Sequence, residues 1–338
     1  MEEKDSVSIW FVRQALMGLQ QRGRPYESLL LDAGIQPGLL RSDQSRVSAR
    51  SFGALWLAIA SVLDDEFFGL DRRRMKVGSF ALLCRSTVQA PSLEHALGLA
   101  VQYFNILLDD TRLELASDAE DLRILLIDRE GTERPEAFRV YAHETLIIML
   151  HGLLCWLVGR RLNVRSAQFS YARPQWSAEY RSMYSEVLSF GHSQTSICMS
   201  AELLSAPVVQ SEESAREFLR EAPHNFIVKF KDPKSFRARI RQRLRSTPPD
   251  EWPKLALLAN ELGVSTSTLH RKLDAEGINF RQIKDALRRD LAIDRLAHSP
   301  ESVADIAAEL GFAEPSAFHR AFKSWTGLRP GDYRQAES

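Results

Sequence analysis

The chain has 338 residues, 44% of them hydrophobic and 26% charged, enough apolar side chains for two cores and too many for a disordered or collagen-like chain. Its 44 basic and 44 acidic side chains cancel, but unevenly: residues 1–228 carry 24 basic and 29 acidic, residues 229–338 carry 20 and 15. That asymmetry excludes a uniform polyelectrolyte and gives the C-terminal part alone the sign that suits a polyanionic partner.

In chain order, Trp10, Val12, Ala15, Leu16 and Leu19 predict a first helix, and Phe52, Leu55, Trp56, Ile59 and Leu63 a second, with Ser48 as its N-cap. Ser92 predicts the cap of a third, which carries Leu93, Ala96, Leu97, Ala100, Phe104 and Leu107. The period then falls to two: Thr111–Ala116, a polar turn and Asp121–Ile127 read as a hairpin. A long helix follows over 136–158, short strands over 164–171 and 195–199, and a helix around 178–187. These elements predict an α+β domain over residues 1–205. Residues 206–233 are polar and aperiodic and read as a linker. Beyond them the pattern is all helix.

Three cysteines, Cys84, Cys155 and Cys198, stand far apart without a CxxC, which points to a reducing compartment and to neither a disulfide framework nor a zinc knuckle. The opening residues lack the basic start and apolar run of a signal peptide. Thr145–Gly159 is apolar but contains His151 and falls short of the roughly 20 residues a membrane span needs, so it reads as a core helix. The expectation is a cytoplasmic protein with no metal or cofactor. A P-loop, a GxSxG, an HExxH and a dinucleotide fingerprint are all missing, so no enzyme is expected.

The C-terminal part repeats itself. Glu261-Leu262-Gly263-Val264 is followed by Leu269-His270-Arg271-Lys272-Leu273, and Glu309-Leu310-Gly311-Phe312 by Phe318-His319-Arg320-Ala321-Phe322. Each copy opens with an amphipathic helix (Ala256, Ala259, Leu262; Val303, Ile306, Ala307, Leu310). Each turns at a glycine, which tolerates a left-handed backbone. Each then enters a second helix, ending at Gly277 or Gly327, whose i,i+4 pair, Leu269 with Leu273 or Phe318 with Phe322, buries one face. Ser265 suits the N-cap of the first of these helices and Pro315 the first turn of the other. The opposite faces keep Ser267, His270 and Arg271, and Ser316, His319 and Arg320, polar and cationic as a major groove requires. The pattern therefore predicts two helix-turn-helix motifs that bind double-stranded DNA.

Ile306 to Phe312, with Ser316, Phe318, Arg320, Phe322-Lys323, Gly327, Pro330 and Tyr333-Arg334, resembles the C-terminal signature of the AraC/XylS family of regulators over residues 234–335. The resemblance implies an all-α domain of seven helices with two recognition helices in successive major grooves, roughly 34 Å apart. It assigns DNA contact to Ser267, His270, Arg271, Pro315, Ser316, His319 and Arg320; the small residues at 267 and 315–317 depart from the bulkier readers of some members. Gly78 to Leu83, Leu93 to Leu97, Tyr103-Phe104 and Ala201 to Leu204 resemble the family's arabinose-binding-like effector domain, the type carried by regulators similar to the ornithine-utilisation regulator. That implies a ligand-sensing or dimerising module, an unknown small-molecule effector, and an activator that contacts RNA polymerase.

Lys229–Arg245 holds eight basic residues around the apolar stripe Phe236, Ile240 and Leu244. Arg237, Arg241, Arg288 and Lys323 are candidates for phosphate contact, and Arg288 and Arg289 also for bracing the two units. Tyr103, Arg123, His143 and His151 are the polar groups expected to orient an effector. On the residues alone, a ligand-independent architectural DNA binder whose N-terminal domain only oligomerises, as a homodimer, stays open.

Overall fold

A computed structural model describes residues 6–131, 134–221, 236–275 and 278–334, divided between two compact units. Strand β1 (Ser6–Ser8) pairs antiparallel with β2 (Arg46–Ser48), Val7 opposite Val47. The chain passes from β1 directly into helix α1 (Ile9–Gln21), and from β2 directly into α3 (Ala49–Leu63), after the short α2 (Glu27–Asp32). Ser48 caps α3 by accepting the Ser51 amide at 3.0 Å.

Among the described residues, the α+β unit comprises 10–29, 53–131 and 134–221. Helices α4 (Ser79–Thr87) and α5 (Leu93–Leu107) precede the hairpin of β3 (Thr111–Ser117) and β4 (Asp121–Asp128). Ser92 caps α5 through the His95 amide. The long helix α6 (Glu136–Leu157) is followed by β5 (Ser166–Phe169), α7 (Ala178–Met183), β6 (Leu188–Phe190) and β7 (Thr195–Ser200). The five strands form one sheet in the order β3-β4-β7-β5-β6, antiparallel except for β5 beside β6. Helix α6 is apolar and long enough to cross a membrane by length and composition, yet 89% of its most apolar window is buried in the protein. It is a core helix.

The region read as a linker is partly folded. Helix α8 (Glu212–Glu221) lies within it, and Phe218 stacks on Trp156 with ring centroids 4.5 Å apart. The Leu93 amide donates to Ala206 O at 2.8 Å and the Val209 amide to Leu157 O at 2.9 Å. These contacts attach residues 206–221 to the α+β unit. A helix this charged buries only Ala215 and Phe218, too few apolar residues to stand out in the sequence. Residues 222–233 of the expected linker lie outside the described residues.

Among the described residues, the helical unit gathers 6–9, 30–52, 236–275 and 278–334, so residues 6–52 divide between the two units. The helices are α9 (Phe236–Arg245), α10 (Leu255–Glu261), α11 (Thr266–Ala275), α12 (Phe280–His298), α13 (Val303–Glu309) and α14 (Pro315–Thr326), with 3-10 turns at Pro249–Glu251 and Pro330–Tyr333. Ile240, Leu244, Leu258, Ala259, Leu269, Leu273, Ile283 and Leu287 form one core cluster.

The β1/β2 ribbon is held to α12 by polar contacts. Asp290 accepts from Ser6 Oγ at 2.6 Å and pairs with Arg241 at 3.2 Å and Arg289 at 2.9 Å. Arg46 donates to Ser6 Oγ at 2.7 Å, and its own amide donates to the Tyr333 hydroxyl at 3.2 Å. Burial alone would raise the Asp290 carboxyl, but Arg289, Arg241, Ser6 and Arg46 outweigh it and hold the group far below the usual carboxylate range.

Candidate nucleic-acid interface

The two halves of the sequence repeat have the same backbone. In the first, Leu262, Gly263 and Val264 donate to Leu258 O, Asn260 O and Ala259 O at 2.9, 3.0 and 3.0 Å. In the second, Leu310, Gly311 and Phe312 donate to Ile306 O, Ala308 O and Ala307 O at 3.0, 2.9 and 3.0 Å. Both glycines are left-handed, with φ of +71° at Gly263 and +75° at Gly311. Ser265 caps α11 by accepting the Thr268 amide at 3.1 Å. Pro315 occupies the first turn of α14, and a capping box of Ser302 and Asp305 starts α13. Gly277, read as the end of α11, lies outside the described residues; Gly327 ends α14 at φ +76°.

The glycines differ in their surroundings. A Cβ on Gly263 would meet nothing within 4 Å, whereas one on Gly311 would lie 3.3 Å from Asp250 Cα and from Pro249 O, both backbone atoms. Gly263→Ala is expected to cost only the left-handed penalty of about 1–2 kcal/mol. Gly311→Ala is expected to cost more, because Pro249–Asp250 must shift as well. Parallel urea titrations check this; equal losses would mean that the close approach has no energetic weight.

The second helices bury Leu269, Leu273, Phe318 and Phe322, none more than 1% exposed. Their other faces leave Ser267, His270 and Arg271, and Pro315, Ser316, His319 and Arg320, in solvent. Arg271 and Arg320 stand at matched positions, each two residues beyond the first buried anchor, and neither forms an ion pair with a described residue. On the first helices, Ala256 is exposed, contrary to the amphipathic reading; Ala259 is buried as expected, with Leu258 beside it. The Leu258–Ala259 step keeps the same pitch of burial as Ile306–Ala307.

The four arginine and lysine candidates for phosphate differ in exposure. Arg241 is 2% exposed and paired with Asp290, because its place on α9 falls beside Ile240 on the buried side. Arg237 is half-buried. Arg288 donates from Nε to Leu310 O at 2.9 Å, at the end of α13, and its guanidinium stacks on Trp252 and Phe312 at 5.1 and 5.4 Å. It ties the approach to α10 to the turn after α13, contacts that suit the bracing role. Lys323 alone is exposed. Lys272, next to Arg271 within the repeat, is a further exposed cation on α11.

The sequence pattern of the arabinose-binding domain of AraC transcription regulator, N-term, matches residues 23–208, more than half of the chain. The chain belongs to the AraC family of transcription regulators. A helix-turn-helix domain pattern matches residues 258–336. The ornithine utilization regulator of Pseudomonas aeruginosa is 26% identical over 325 residues, 96% of this chain and 95% of that one. The HTH-type transcriptional regulator VqsM of the same organism is 35% identical over 100 residues, 29% of this chain and 31% of that protein. The crystal structure of transcriptional regulator CdpR from Pseudomonas aeruginosa aligns over 97% of this chain and 98% of that one at 22% identity, with a TM-score of 0.33. This AraC-family protein is thus a DNA-binding transcription regulator with an N-terminal domain of the effector-binding type.

In the α+β unit of this AraC-family regulator, the four expected effector groups are not gathered. The Tyr103 hydroxyl donates to Ser79 O, and burial pushes it up to about 12. Arg123 lies exposed on β4 beside Asp121 at 3.7 Å. His151 is buried against Leu162 O at 2.9 Å and the Cys155 thiol at 3.6 Å. His143 is fully buried, 2.9 Å from Thr195 Oγ1 and 3.2 Å from Asp128. Burial lowers its proton affinity more than Asp128 restores it. His143 and His151 are two turns apart on α6, and each already has structural partners.

Sequence reading missed Glu144, next to His143. It is fully buried, and its Oε1 accepts from Trp176 Nε1 at 2.9 Å and from the Tyr180 hydroxyl. Burial raises this carboxyl to about 7 against the pull of Tyr180, Trp176 and Gln14. Glu144 is the one acidic or basic side chain, histidines apart, in the apolar stretch 140–157, and that was the available signal: a charged residue so placed is buried only at a cost.

Proposed function

We propose that this regulator is an activator that reads a specific operator with Ser267, His270 and Arg271 on α11 and Pro315, Ser316, His319 and Arg320 on α14. Lys323 adds a phosphate contact. It works in the cytoplasm, on the nucleoid, as a homodimer that contacts RNA polymerase, and it answers to a small molecule bound by its N-terminal effector domain. The observation that carries the reading is the duplicated turn, which presents one unpaired arginine at the same place on each second helix. Two exposed cationic faces on short helices suit base edges in a major groove, and a coupling of about 1–3 kcal/mol between ligand and DNA suffices for control.

Footprinting upstream of neighbouring genes tests the reading. A protected site of defined sequence is expected, changed by ligand. Arg271→Ala and Arg320→Ala should each weaken binding to that site by roughly 1–3 kcal/mol and spare non-specific binding. Lys323→Ala should weaken all sequences alike and flatten the salt dependence. Protection without sequence preference would leave an architectural DNA binder.

A further inference from the structure

The Glu144 site gathers buried polar groups, acceptors and donors both, that the protein leaves imperfectly paired. Glu144 Oε2, both polar atoms of the Gln14 side chain, and the Tyr141 and Thr145 hydroxyls are buried and make no hydrogen bond of acceptable geometry. Tyr141, Glu144 and Thr145 follow one another on one face of α6, and Gln14 of α1 lies close enough to act on the carboxyl. Among the described residues no cation pairs with Glu144. The surroundings are aromatic: Tyr171, Tyr180 and Tyr184 are buried, with the Tyr171 and Tyr180 hydroxyls 3.2 Å apart and the Tyr184 hydroxyl donating to Glu144 O at 3.4 Å. Trp176, half-exposed in the turn before α7, stacks on Trp10 with ring centroids 5.0 Å apart.

We propose that Glu144, Gln14 and this aromatic wall hold the effector, a small organic cation with a primary ammonium or guanidinium group. The inference rests on the ligand-responsive reading above and names the class of its ligand. A buried carboxylate without a counter-charge is costly, and a bound cation removes that cost. An ammonium brings three N–H donors and no acceptor, matching Glu144 Oε2, Gln14 Oε1 and a neighbouring hydroxyl, while tyrosine and tryptophan faces attract the charge. A quaternary ammonium has the charge without the donors, and a neutral sugar has donors without the charge. Both should bind poorly.

The test is thermal shift and titration of the full chain with n-butylammonium, putrescine, agmatine, L-lysine and L-arginine, against tetramethylammonium, n-butanol and L-arabinose. At least one compound of the first group should stabilise the protein and quench tryptophan fluorescence, and the second group should not. Its affinity should rise as pH passes through about 7. It should fall roughly tenfold or more, about 1.4 kcal/mol or more, in Glu144→Gln. Glu94→Gln, on the exposed face of α5, should bind as the wild type does. Unchanged unfolding of unliganded Glu144→Gln shows that the variant is folded; should it unfold early, Gln14→Leu replaces it with the same expected loss. Silence with every cation, or cation binding indifferent to both variants, overturns the inference. Stabilisation by L-arabinose that survives Glu144→Gln overturns it too and leaves the ligand-responsive reading intact. That reading fails separately, if no small-molecule extract changes the footprint.

Discussion

Asp290→Ala is expected to destabilise the helical unit by about 3–5 kcal/mol, the cost of removing one partner from a buried ion pair. Arg241 is 2% exposed and shares this carboxylate with Arg289, and Ser6 donates to it from β1. Truncation removes the carboxylate that the buried Arg241 guanidinium shares with Arg289 and the Ser6 contact that holds the ribbon to α12. Asp290→Asn keeps an acceptor for Ser6 and removes only the charge, so its loss should be smaller. Urea unfolding gives the totals, and hydrogen exchange along α12 localises them. The pH dependence has a definite sign. Because the folded carboxyl titrates far below its unfolded value, its contribution is complete above pH of about 4 and is lost as the pH falls through the folded value. Asp290→Asn should therefore flatten the acid limb of the stability curve. Equal acid sensitivity in the variant and the wild type would assign that limb to other groups.

Phe318→Ala should cost a similar ~3–5 kcal/mol. Its ring is fully buried, set edge-on to Phe312 at 5.4 Å and tilted against Phe322 at 5.6 Å. Phe322 in turn meets Tyr333 edge-on at 5.0 Å. Removing the central ring of this chain opens a cavity between α13 and α14. The core cluster of the first helix-turn-helix, around Leu258, Leu269 and Leu273, does not contain Phe318. Hydrogen exchange should therefore quicken in α13 and α14 first, with α10 and α11 protected. Equal loss in both halves would show that the two motifs unfold as one cooperative block through α12. Specific DNA affinity should drop with the second motif, since Arg320 depends on α14 for its position.

The readable parts of the chain were those whose burial repeats at short range. The β3/β4 hairpin, α5, α6 and the duplicated turn all carry their own period, and Leu269/Leu273 and Phe318/Phe322 identify the buried faces without any partner in view. The exposed set on α11 and α14 follows by subtraction. The errors came where burial depends on distant residues. Arg241 looked like one cation among five on α9, but Asp290, 49 residues away, takes it inside. The four effector candidates rest on residue type alone, and each has structural partners, some far off in sequence, such as Thr195 for His143. Glu144 differs only in what surrounds it, and those groups come from Gln14, Trp176 and Tyr180.

Local order along the chain was enough for the two helix-turn-helix motifs, their glycine hinges and the solvent face of each second helix. Such motifs are stabilised by contacts four or five residues apart, which a linear pattern records directly. Folding in three dimensions was needed to send residues 6–9 and 30–52 to the helical unit, to set Arg288 against Leu310 and Trp252, and to assemble the buried carboxylate site. The physical reason is common to all three. Charge pairing, cation stacking and desolvation depend on through-space separation, and the residues involved, such as Ser6 and Asp290, are 284 positions apart. No periodicity along the backbone encodes a separation of that kind.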